Sequence, residues 1–302
     1  MPHISVLIPT FRRSLGFMRA ARSVFAQTLT DIELIAIDNS PEGGALAMFE
    51  QLAREAPIPF RWAHAPNPGV AQARNAALAL ANGRYIAWLD DDEEAPAHWL
   101  ATLLHTLEAT RADCVFGPVK ALAPQSRHRA YLEALYARAG PFQDQVVSAT
   151  YGVGNSMQRR DFFANSAPFD LRADQTGGED DRLFAAAKAQ GKRFAWSAHG
   201  WVLEHVEAAR LRVSHALKRA FAYGQGPSET AWAQRDFAAL VRHMSIGAAQ
   251  ALIFGAVAGL ASLARRPDAV RWLDRAVRGA GKVFWFCEQR FYGAALAKRQ
   301  TA

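Results

Sequence analysis

The sequence predicts an α/β fold with a mainly parallel central sheet flanked by helices, followed by a C-terminal helical extension. Two observations support this prediction. Up to about Val206, short apolar runs alternate with helix-like segments, which is typical of parallel strands joined by crossover helices. After Val206 the strand-like runs stop and only helix-like segments follow. With 50% apolar and 21% charged residues, the 302-residue chain is neither disordered nor a small disulfide-stapled protein.

Four apolar runs supply the first strands. They are continuous rather than alternating, as expected for strands buried on both faces. Pro9 ends the first run, and Ser14 is a suitable N-cap for the helix that follows. The predicted strands are residues 4–8, 33–38, 60–64 and 85–89, and helices are predicted from Ser14, up to Glu55, over 70–81 and from Pro96.

Two domains are predicted, a catalytic domain at 1–225 and a helical, basic and apolar region at 226–302. The boundary lies at the Gly- and Pro-containing stretch 224–227, because these residues interrupt both helical and strand periodicity. Helices are predicted over 210–223, 230–264 and 268–296. The two cysteines, Cys114 and Cys287, have neither metal-site spacing nor a disulfide framework.

The basic excess is confined to the last third of the chain. Residues 1–204 contain 20 Lys and Arg against 22 Asp and Glu, whereas residues 205–302 contain 15 against 6. A nucleic-acid-binding protein carries its positive charge on its main binding face, so nucleic acid is not an expected partner. The distribution instead predicts that the C-terminal third of the chain contacts a partner with an anionic surface.

Five consecutive acids, Asp90 to Glu94, directly follow the fourth apolar run. In a parallel sheet this is the carboxyl end of a strand, where open α/β folds bind ligands. Carboxylates as close as those of Asp90 and Asp92 repel each other, and a divalent cation relieves that repulsion. Mg²⁺ or Mn²⁺ is therefore expected here, with substrate phosphates completing its coordination. The alternative is a solvated acidic loop that caps the next helix.

A second acidic segment follows two glycines, Gly177 and Gly178, at the start of a predicted helix. Asp180 in this segment could accept a proton from an attacking hydroxyl. The alternative is that these acids only complement the helix dipole. Other phosphate-binding patterns are missing, because there is no G-x-x-x-x-G-K-[ST] and no third glycine at dinucleotide spacing after Gly152 and Gly154.

Five segments of the chain occur in a characteristic order: residues 4–13 (ISVLIPTFRR), 35–40 (IAIDNS), 67–75 (NPGVAQARN), 89–92 (LDDD) and 178–183 (GEDDRL). In this order they resemble the motifs of the family 2 glycosyltransferases, an inverting group with the GT-A fold found in bacterial polysaccharide and glycan synthesis. The resemblance covers about residues 3–225. His205 lies where many relatives carry a histidine after a late strand.

The resemblance implies a role for each matching residue. Asp180 would be the general base, and Asp92 with Asp90 and His205 would hold Mg²⁺ or Mn²⁺. Asp38 would accept a hydrogen bond from the base of the donor, which suits uracil and a UDP-sugar. The residues expected to bind the nucleotide sugar are Pro9, Thr10, Arg12, Asp38, Gly69, Arg74, Asp90, Asp91 and Asn155.

Several of these residues have a purely structural alternative. Asp38 could form an Asx-turn with Ser40, and Arg74 could form an ion pair on a helix surface. His205 could be a hydrogen-bonded core residue. Gly152, Gly154 and Asn155 could line the donor-sugar pocket or form only a turn. Trp196 and Trp201 could stack on an acceptor sugar or belong to the core.

Two other classes of protein compete with this interpretation. A non-catalytic, membrane-peripheral nucleotide-sugar-binding protein would be free to lose its base, and Asp180 is intact. A nucleotidyltransferase that makes sugar nucleotides would carry a Gly-rich loop after the first strand, where this chain has Pro9 to Arg13 without glycine.

The C-terminal region suggests membrane association. Met244–Ala264 contains no formal charge, is closed by Arg265 and Arg266, and is long enough to span a bilayer, although a buried helix is the alternative. Downstream, four basic residues at i, i+4, i+7 and i+11 share one helix face suited to an anionic membrane: Arg271, Arg275, Arg278 and Lys282.

A membrane-bound enzyme would meet a glycan or lipid-linked saccharide acceptor at the cytoplasmic face of the inner membrane. The N-terminus shows no secretory signal pattern. The alternative is that the C-terminal region packs on the catalytic domain or forms a dimer interface.

Overall fold

The computed structural model describes residues 3–124, 126–165, 167–174 and 177–287. Within these ranges the chain forms two compact units. The first consists of residues up to Ala121 together with Tyr136–His205, and the second consists of Leu122–Leu135 and the chain from Val206 onward.

The strands are β1 (Ile4–Thr10), β2 (Ile32–Asp38), β3 (Phe60–His64), β4 (Tyr85–Trp88), β5 (Glu93–Glu94), β6 (Cys114–Phe116), β7 (Val119–Leu122), β8 (Gln145–Val147), β9 (Ser156–Arg159), β10 (Phe194–Trp196) and β11 (Val202–His205). The α-helices are α1 (Ser14–Phe25), α2 (Leu46–Glu55), α3 (Val70–Leu80), α4 (Trp99–Ala109), α5 (Arg129–Tyr136), α6 (Glu179–Ala189), α7 (Val213–Ala233), α8 (Phe237–Leu263) and α9 (Ala269–Val283). Short 3₁₀ helices cover Arg160–Phe162 and Leu171–Asp174.

The main sheet has eight strands in the order β3-β2-β1-β4-β9-β6-β10-β8. All of these strands run in one direction except β9 and β8, which pair antiparallel with their neighbours. The predicted fold class, a mainly parallel sheet flanked by helices, is therefore confirmed. A second, three-stranded sheet has the order β5-β11-β7.

In the central strands β1, β2 and β4, side chains on both faces of the main sheet are buried. Along β1, Val6 and Ile8 belong to one apolar cluster, whereas Leu7 between them belongs to the cluster on the other face. The continuous apolar runs of these strands arise from this arrangement, because both of their faces are covered.

Strand β1 continues through Pro9 to Thr10, two residues beyond its predicted end. The carbonyls of His3 and Leu7 accept hydrogen bonds from the β4 side, so alternate residues of β1 face β4. Pro9 belongs to that alternate set, but β4 has already ended at its level. Its missing N–H therefore costs the sheet no hydrogen bond. The expected cap at Ser14 does not form, since Ser14 is the first helical residue and Arg13 occupies the N-cap position.

Helix α7 runs through the domain boundary expected at residue 225. Pro227 lies inside this helix, and Gly224 serves helix packing rather than chain breaking. A Cβ on Gly224 would lie 2.2 Å from the carbonyl oxygen of Arg278 in α9, so only glycine permits this approach. Strand-like runs do stop near Val206, and from Val206 onward the chain belongs to the second unit.

The second unit is helical, as expected. Helices α7 and α8 both pack on α9, and the Tyr131 hydroxyl of α5 donates a hydrogen bond of 2.9 Å to Asp274 of α9. Helix α8 begins after Asp236, whose carboxylate accepts a hydrogen bond from the Ala239 N–H. The last predicted helix, 268–296, is wrong in its end, because α9 ends at Val283 and residues 284–287 are not helical. The predicted stretch from 288 to 296 lies outside the described residues.

The two cysteines should differ sharply in reactivity. Cys114 is buried in β6, and burial raises the pKa of its thiol, whereas Cys287 is exposed. Because the thiolate is the reactive species, Ellman's reagent should modify one thiol per native chain quickly and the second only in denaturant. Cys287→Ser should abolish the fast phase. A fast phase that survives this change would contradict the burial of Cys114.

Candidate active site

The antiparallel strand β9 brings distant loops to the carboxyl edge of the sheet. Its first residue, Ser156, pairs with Trp88 at the end of β4 and with Phe116 at the end of β6. The turn at residues 152–155 therefore lies directly beside the acidic segment that follows β4. This is the edge at which open α/β sheets bind ligands.

A cavity of about 200 Å³ opens at this edge. Two carboxylates 90 positions apart in sequence, Asp90 and Asp180, line the same cavity. The other lining residues are Arg74, Glu93, Val119, Tyr136, Arg138, Gly152, Val153, Gly154 and Glu204. The structure thus brings together the two acidic segments in which the sequence places a cation site and a proton acceptor.

Asp90 presents a carboxylate without a local donor. Within the described part of the chain, no group donates a hydrogen bond to it, and burial raises its pKa while Arg74 and, more weakly, Arg138 oppose the rise. Gly154 makes this placement possible, because a Cβ there would lie 2.3 Å from the Asp90 carboxylate. An under-coordinated carboxylate of this kind favours a nearby cation.

Arg138 organises the turn between the two carboxylates. Its guanidinium donates hydrogen bonds to the carbonyls of Gly117 (3.1 Å), Gly152 (2.8 Å) and Gly154. Its charge also acts on Asp90 and Asp180. No sequence motif marks Arg138, since it is a single arginine that follows a short helix.

Asp180 is the second residue of α6 and lies two positions after the N-cap Gly178, whose φ of +82° is left-handed. One oxygen of the Asp180 carboxylate accepts a hydrogen bond from the Asp181 N–H at 3.0 Å. The other lies toward Gly152, where an added Cβ would be 3.3 Å away. The carboxylate is thus held by its own helix start, with one oxygen left toward the cavity side.

Arg74 forms an ion pair, but a buried one rather than the surface pair considered above. Its guanidinium lies 2.5 Å from the Glu179 carboxylate, and both side chains are about one-tenth exposed. The Arg74 Nε is buried without a hydrogen-bond partner in the described part of the chain. This ion pair fixes the start of α6, next to Asp180, against α3.

A second network joins the end of β1 to the acidic segment. The Thr10 hydroxyl donates a 2.7 Å hydrogen bond to Asp91, and Arg13 lies 2.9 Å from Asp91 and 3.1 Å from Asp92. Burial raises the pKa of Asp91 to about 6, although Arg13 opposes the shift. Thr10 and Asp91, both expected to bind nucleotide, are thus in direct contact.

The predicted metal ligands meet only in part. His205 donates its backbone N–H to the Asp92 carbonyl at 2.8 Å, but its ring lies 2.8 Å from Glu94. Among the residues that the structure describes, no three His, Cys, Asp or Glu side chains form a ready metal site. A pair of carboxylates still suits Mg²⁺ or Mn²⁺, which keeps waters and takes substrate phosphates as ligands.

Glu93 is a cavity residue to which sequence analysis assigned no function. Its carboxylate accepts the Asp90 backbone N–H at 2.9 Å, and burial together with the charge of Asp90 raises its pKa well above the usual range. Glu93 belongs to the acidic run at residues 90–94, and this run predicts a site at the strand end. The pairing of β5 with β11 then places Glu93 in the cavity beside Asp90.

Asp38 forms an Asx-turn with Ser40, which is the structural alternative to nucleotide binding. Its two carboxylate oxygens accept hydrogen bonds from the Ser40 N–H (2.8 Å) and the Ala45 N–H (2.7 Å), and the residue is fully buried. Nearby, the exposed side chain of Arg12 is paired with Glu42 at 2.6 Å. Their roles in nucleotide binding, like that of Pro9 at the end of β1, stay predictions.

Gly69 and Asn155 lie in tight protein contacts. A Cβ on Gly69 would lie 2.2 Å from the Asp174 carboxylate, which accepts the Ala71 N–H at the start of α3. The fully buried Asn155 side chain accepts from Trp99 and donates to the carbonyls of Pro118 and Gly200.

Asn155 therefore fixes the turn that carries Gly154, and its sugar contact stays a prediction. Trp196 belongs to the core and donates to the Pro141 carbonyl at 2.9 Å, whereas the Trp201 ring lies 3.5 Å from the Lys120 ammonium.

The close approach of Gly154 to Asp90 can be tested by adding one methyl group. Gly154→Ala should lower the free energy of unfolding by about 2 kcal/mol, because the methyl overlaps the half-buried Asp90 carboxylate. The control is Gly226→Ala, which places its methyl in open space inside α7 and should leave stability unchanged or slightly higher. Urea unfolding followed by tryptophan fluorescence measures both, and equal stabilities of the two variants would contradict the packing described here.

Comparison with known proteins agrees with this architecture. A family model described as "Glycosyl transferase family 2" matches residues 5–166. The succinoglycan biosynthesis protein ExoM of Rhizobium meliloti (strain 1021) is 31% identical over 233 residues, covering 74% of this chain and 73% of that protein. A GalNAc(5)-diNAcBac-PP-undecaprenol beta-1,3-glucosyltransferase of Campylobacter jejuni is 29% identical over 109 residues, 34% of each chain.

Solved structures show the same fold. The mannosyltransferase PcManGT of Pyrobaculum calidifontis, in complex with GDP-Man and Mn²⁺, matches with a TM-score of 0.63 at 16% identity over 95% of this chain and 88% of that one. S. aureus TarS 1-349 in complex with UDP matches with a TM-score of 0.54 at 15% identity over 70% of this chain and 62% of that one. At these identities the similarity shows the fold alone.

The family assignment rests on two independent matches. The family model covers just over half of the chain, and ExoM is 31% identical over 74% of it. The resemblance read from the sequence motifs is confirmed: the chain belongs to glycosyl transferase family 2 and is a glycosyltransferase.

Proposed function

We propose that this enzyme transfers a sugar, with inversion, from a nucleotide-diphosphate sugar to a hydroxyl group of a glycan or lipid-linked acceptor. The proposal rests on one observation, that Asp90 and Asp180 line the same cavity. One carboxylate lies at a strand end suited to a cation and a diphosphate, and the other lies at a helix start suited to proton transfer. Relatives named for succinoglycan biosynthesis and for a glucosyltransferase support a polysaccharide or glycan product.

Asp180 is the general base in this proposal. As the acceptor oxygen forms its bond to the anomeric carbon, its proton passes to the Asp180 carboxylate. On the opposite side of that carbon, the bond to the diphosphate oxygen breaks and the nucleoside diphosphate leaves with the electron pair. One displacement of this kind inverts the anomeric centre. The hydrogen bond from the Asp181 N–H keeps the carboxylate oriented for this step.

Asp90 and Asp92 are the proposed ligands of Mg²⁺ or Mn²⁺, with His205 nearby through its backbone contact to Asp92. When bound, the cation supplies charge neutralisation for the leaving diphosphate. The orphaned Asp90 carboxylate is the structural feature that fits such a cation. Arg138 keeps the Gly152–Gly154 turn in place between Asp90 and Asp180, and Arg74 adds positive charge to the same wall.

The proposed donor is a UDP-sugar. The TarS structures contain UDP and UDP-GlcNAc, whereas PcManGT contains GDP-Man, so the fold accommodates both nucleotides. Asp38 and the adjoining Ser40–Ala45 turn are the proposed base-binding region, because they follow β2 at the same carboxyl edge as Asp90. Nucleotide release from a panel of UDP- and GDP-sugars distinguishes the two donors directly.

The proposed place of action is the cytoplasmic face of the inner membrane. The first unit carries the chemistry, and the helical second unit with its basic excess provides attachment to an anionic surface. The Campylobacter relative is named for a polyprenyl-linked substrate, which supports a lipid-linked acceptor.

Removal of the base should separate binding from chemistry. Asp180→Asn should leave donor affinity within about twofold and lower kcat by at least about a hundredfold, because binding and proton transfer use different groups. The matched control is Asp181→Asn, an exposed change one residue further along the same helix turn, which should retain most activity. Calorimetric loss of donor binding in Asp180→Asn would contradict the base role.

The cation should be required for transfer. Excess EDTA should abolish nucleotide release, and added Mn²⁺ or Mg²⁺ should restore it. Asp92→Asn should cut turnover by about a hundredfold, on the order of 3 kcal/mol of barrier, and should raise the Mn²⁺ concentration needed for half-maximal rate. Full activity in EDTA would eliminate the cation from the mechanism.

A further inference from the structure

Helix α8 has an exposed apolar side that the catalytic function does not use. It is 27 residues long and is the one helix in the described part of the chain that is long and apolar enough to cross a membrane. Only 17% of its most apolar stretch is buried, so it is not the core helix of a soluble bundle. An exposed apolar surface of this size marks a binding face.

The opposite side of α8 packs along α9. A Cβ on Gly279 would lie 2.6 Å from the Gly247 carbonyl oxygen, so the two backbones touch there. One turn further along α8, Gln250 accepts a 2.8 Å hydrogen bond from the Lys282 ammonium. The next turn places Phe254 5.5 Å from the Arg275 guanidinium. The antiparallel contact thus runs along the middle of α8.

The exposed side is continuous and uncharged over most of the helix. Val241, Leu252 and Leu263 follow one another at intervals of 11 residues, about three turns, and therefore lie on one line along the helix. They are 62%, 75% and 83% exposed. Between Arg242 and Arg265 there is no Asp, Glu, Lys or Arg.

Charged residues of α9 lie level with the centre of that uncharged stretch. Lys282 contacts residue 250 and Arg275 contacts residue 254, close to the midpoint between Arg242 and Arg265. If α8 crossed a bilayer in this packing, these cations would lie near the centre of the hydrocarbon, where charged side chains are costly. The length and composition of α8 favour a span, but its partner helix opposes one.

We propose that α8 lies flat in the membrane interface, parallel to the bilayer surface, with its Val241–Leu252–Leu263 line inserted below the headgroups. The inference deepens the membrane attachment included in the proposed function, and rests on it. In this orientation the α9 cations lie in a row parallel to α8 and hence at one constant depth. That depth is the headgroup layer, where Lys and Arg meet anionic lipid.

Aromatic side chains mark the same layer at the start of α8. The rings of Trp232 and Phe237 are 5.8 Å apart, and those of Trp232 and Trp285 are 5.3 Å apart. Trp232 and Phe237 are each more than half exposed. Exposed aromatic clusters of this kind are typical of the membrane–water interface.

A second copy of the chain is a less suitable occupant of this face. A two-fold dimer across the line of Val241, Leu252 and Leu263 would bring Arg242 of one copy toward Arg265 of the other if the paired helices ran antiparallel, and toward Arg242 of the other if they ran parallel. The basic row of α9 would also flank the interface on both copies. An anionic lipid surface complements these charges, whereas a second copy repeats them.

Flotation with vesicles of phosphatidylcholine and phosphatidylglycerol tests attachment through this face. The full chain should float, and Leu252→Glu should reduce the bound fraction roughly tenfold. The control is Leu15→Glu, which changes a residue that is 82% exposed in the first unit and should float normally. Equal flotation of Leu252→Glu and the parent protein would overturn the proposal. So would failure of the parent to float, or concentration-dependent dimers that Leu252→Glu abolishes.

Depth measurements distinguish a flat helix from a spanning one. In a Cys287→Ser background, whose remaining Cys114 is buried, bimane is attached to Val241→Cys, Leu252→Cys and Leu263→Cys, one at a time. Lipids brominated at different acyl positions should quench all three probes most strongly at the same shallow depth. A spanning helix instead places the probe at 252 deepest and separates the outer two by about 33 Å, on opposite sides. That profile would overturn the flat orientation while leaving membrane attachment intact.

The same preparations keep this inference separate from the catalytic proposal. Nucleotide release is measured in detergent-free solution without vesicles, so it reports on Asp180 and the cation alone. Flat insertion without any cation-dependent nucleotide release would refute the proposed reaction and support the orientation. Cation-dependent nucleotide release with a spanning depth profile would do the reverse.

Discussion

The hydrogen bonds of the Arg138 guanidinium to the carbonyls of Gly117, Gly152 and Gly154 support the arrangement of the active site. They hold the turn before β9 against the end of β6, and this turn separates Asp90 from Asp180. Without the Arg138 guanidinium, the carbonyl groups of these three glycines would point at one another without a hydrogen-bond donor, and burying them would be costly. One positive side chain therefore sets the spacing of the two carboxylates in the proposed reaction.

The charge balance of the cavity follows from the same geometry. Glu93, Asp90, Glu204 and Asp180 act on Arg138, and burial raises the pKa of Asp90 and that of Glu93. Arg74 and Arg13 oppose that tendency from two other elements, α3 and the residue before α1. This half-buried site has more carboxylates than positively charged side chains. It is therefore suited to a divalent ion that arrives with a diphosphate, because the ion neutralises both the carboxylates and the phosphates.

The helical unit follows a different constraint. Its small residues, such as Gly247 and Gly279, allow the backbones of α8 and α9 to touch, and this contact places charged side chains alongside an apolar helix. The composition of α8 alone is that of a membrane span. However, α8 is packed on α9, so an insertion of α8 across a bilayer would also bring the charged side chains of α9 into the hydrocarbon. The packing partner of α8 therefore determines the cost of a span more than the composition of α8 does.

The sequence by itself determined the fold class, the strand ends next to Asp38 and Asp90, the presence of a helix that begins beside Asp180 and the family, because these depend on local periodicity and on motifs that occupy consecutive positions. The tertiary structure alone decided that Asp90 and Asp180 share a cavity, since their proximity results from the antiparallel insertion of β9. It also decided that Arg138 and Glu93 belong to that cavity and that helix α7 continues through Pro227. These contacts join residues far apart in the chain, and no local pattern records which distant backbone a glycine or an arginine will meet.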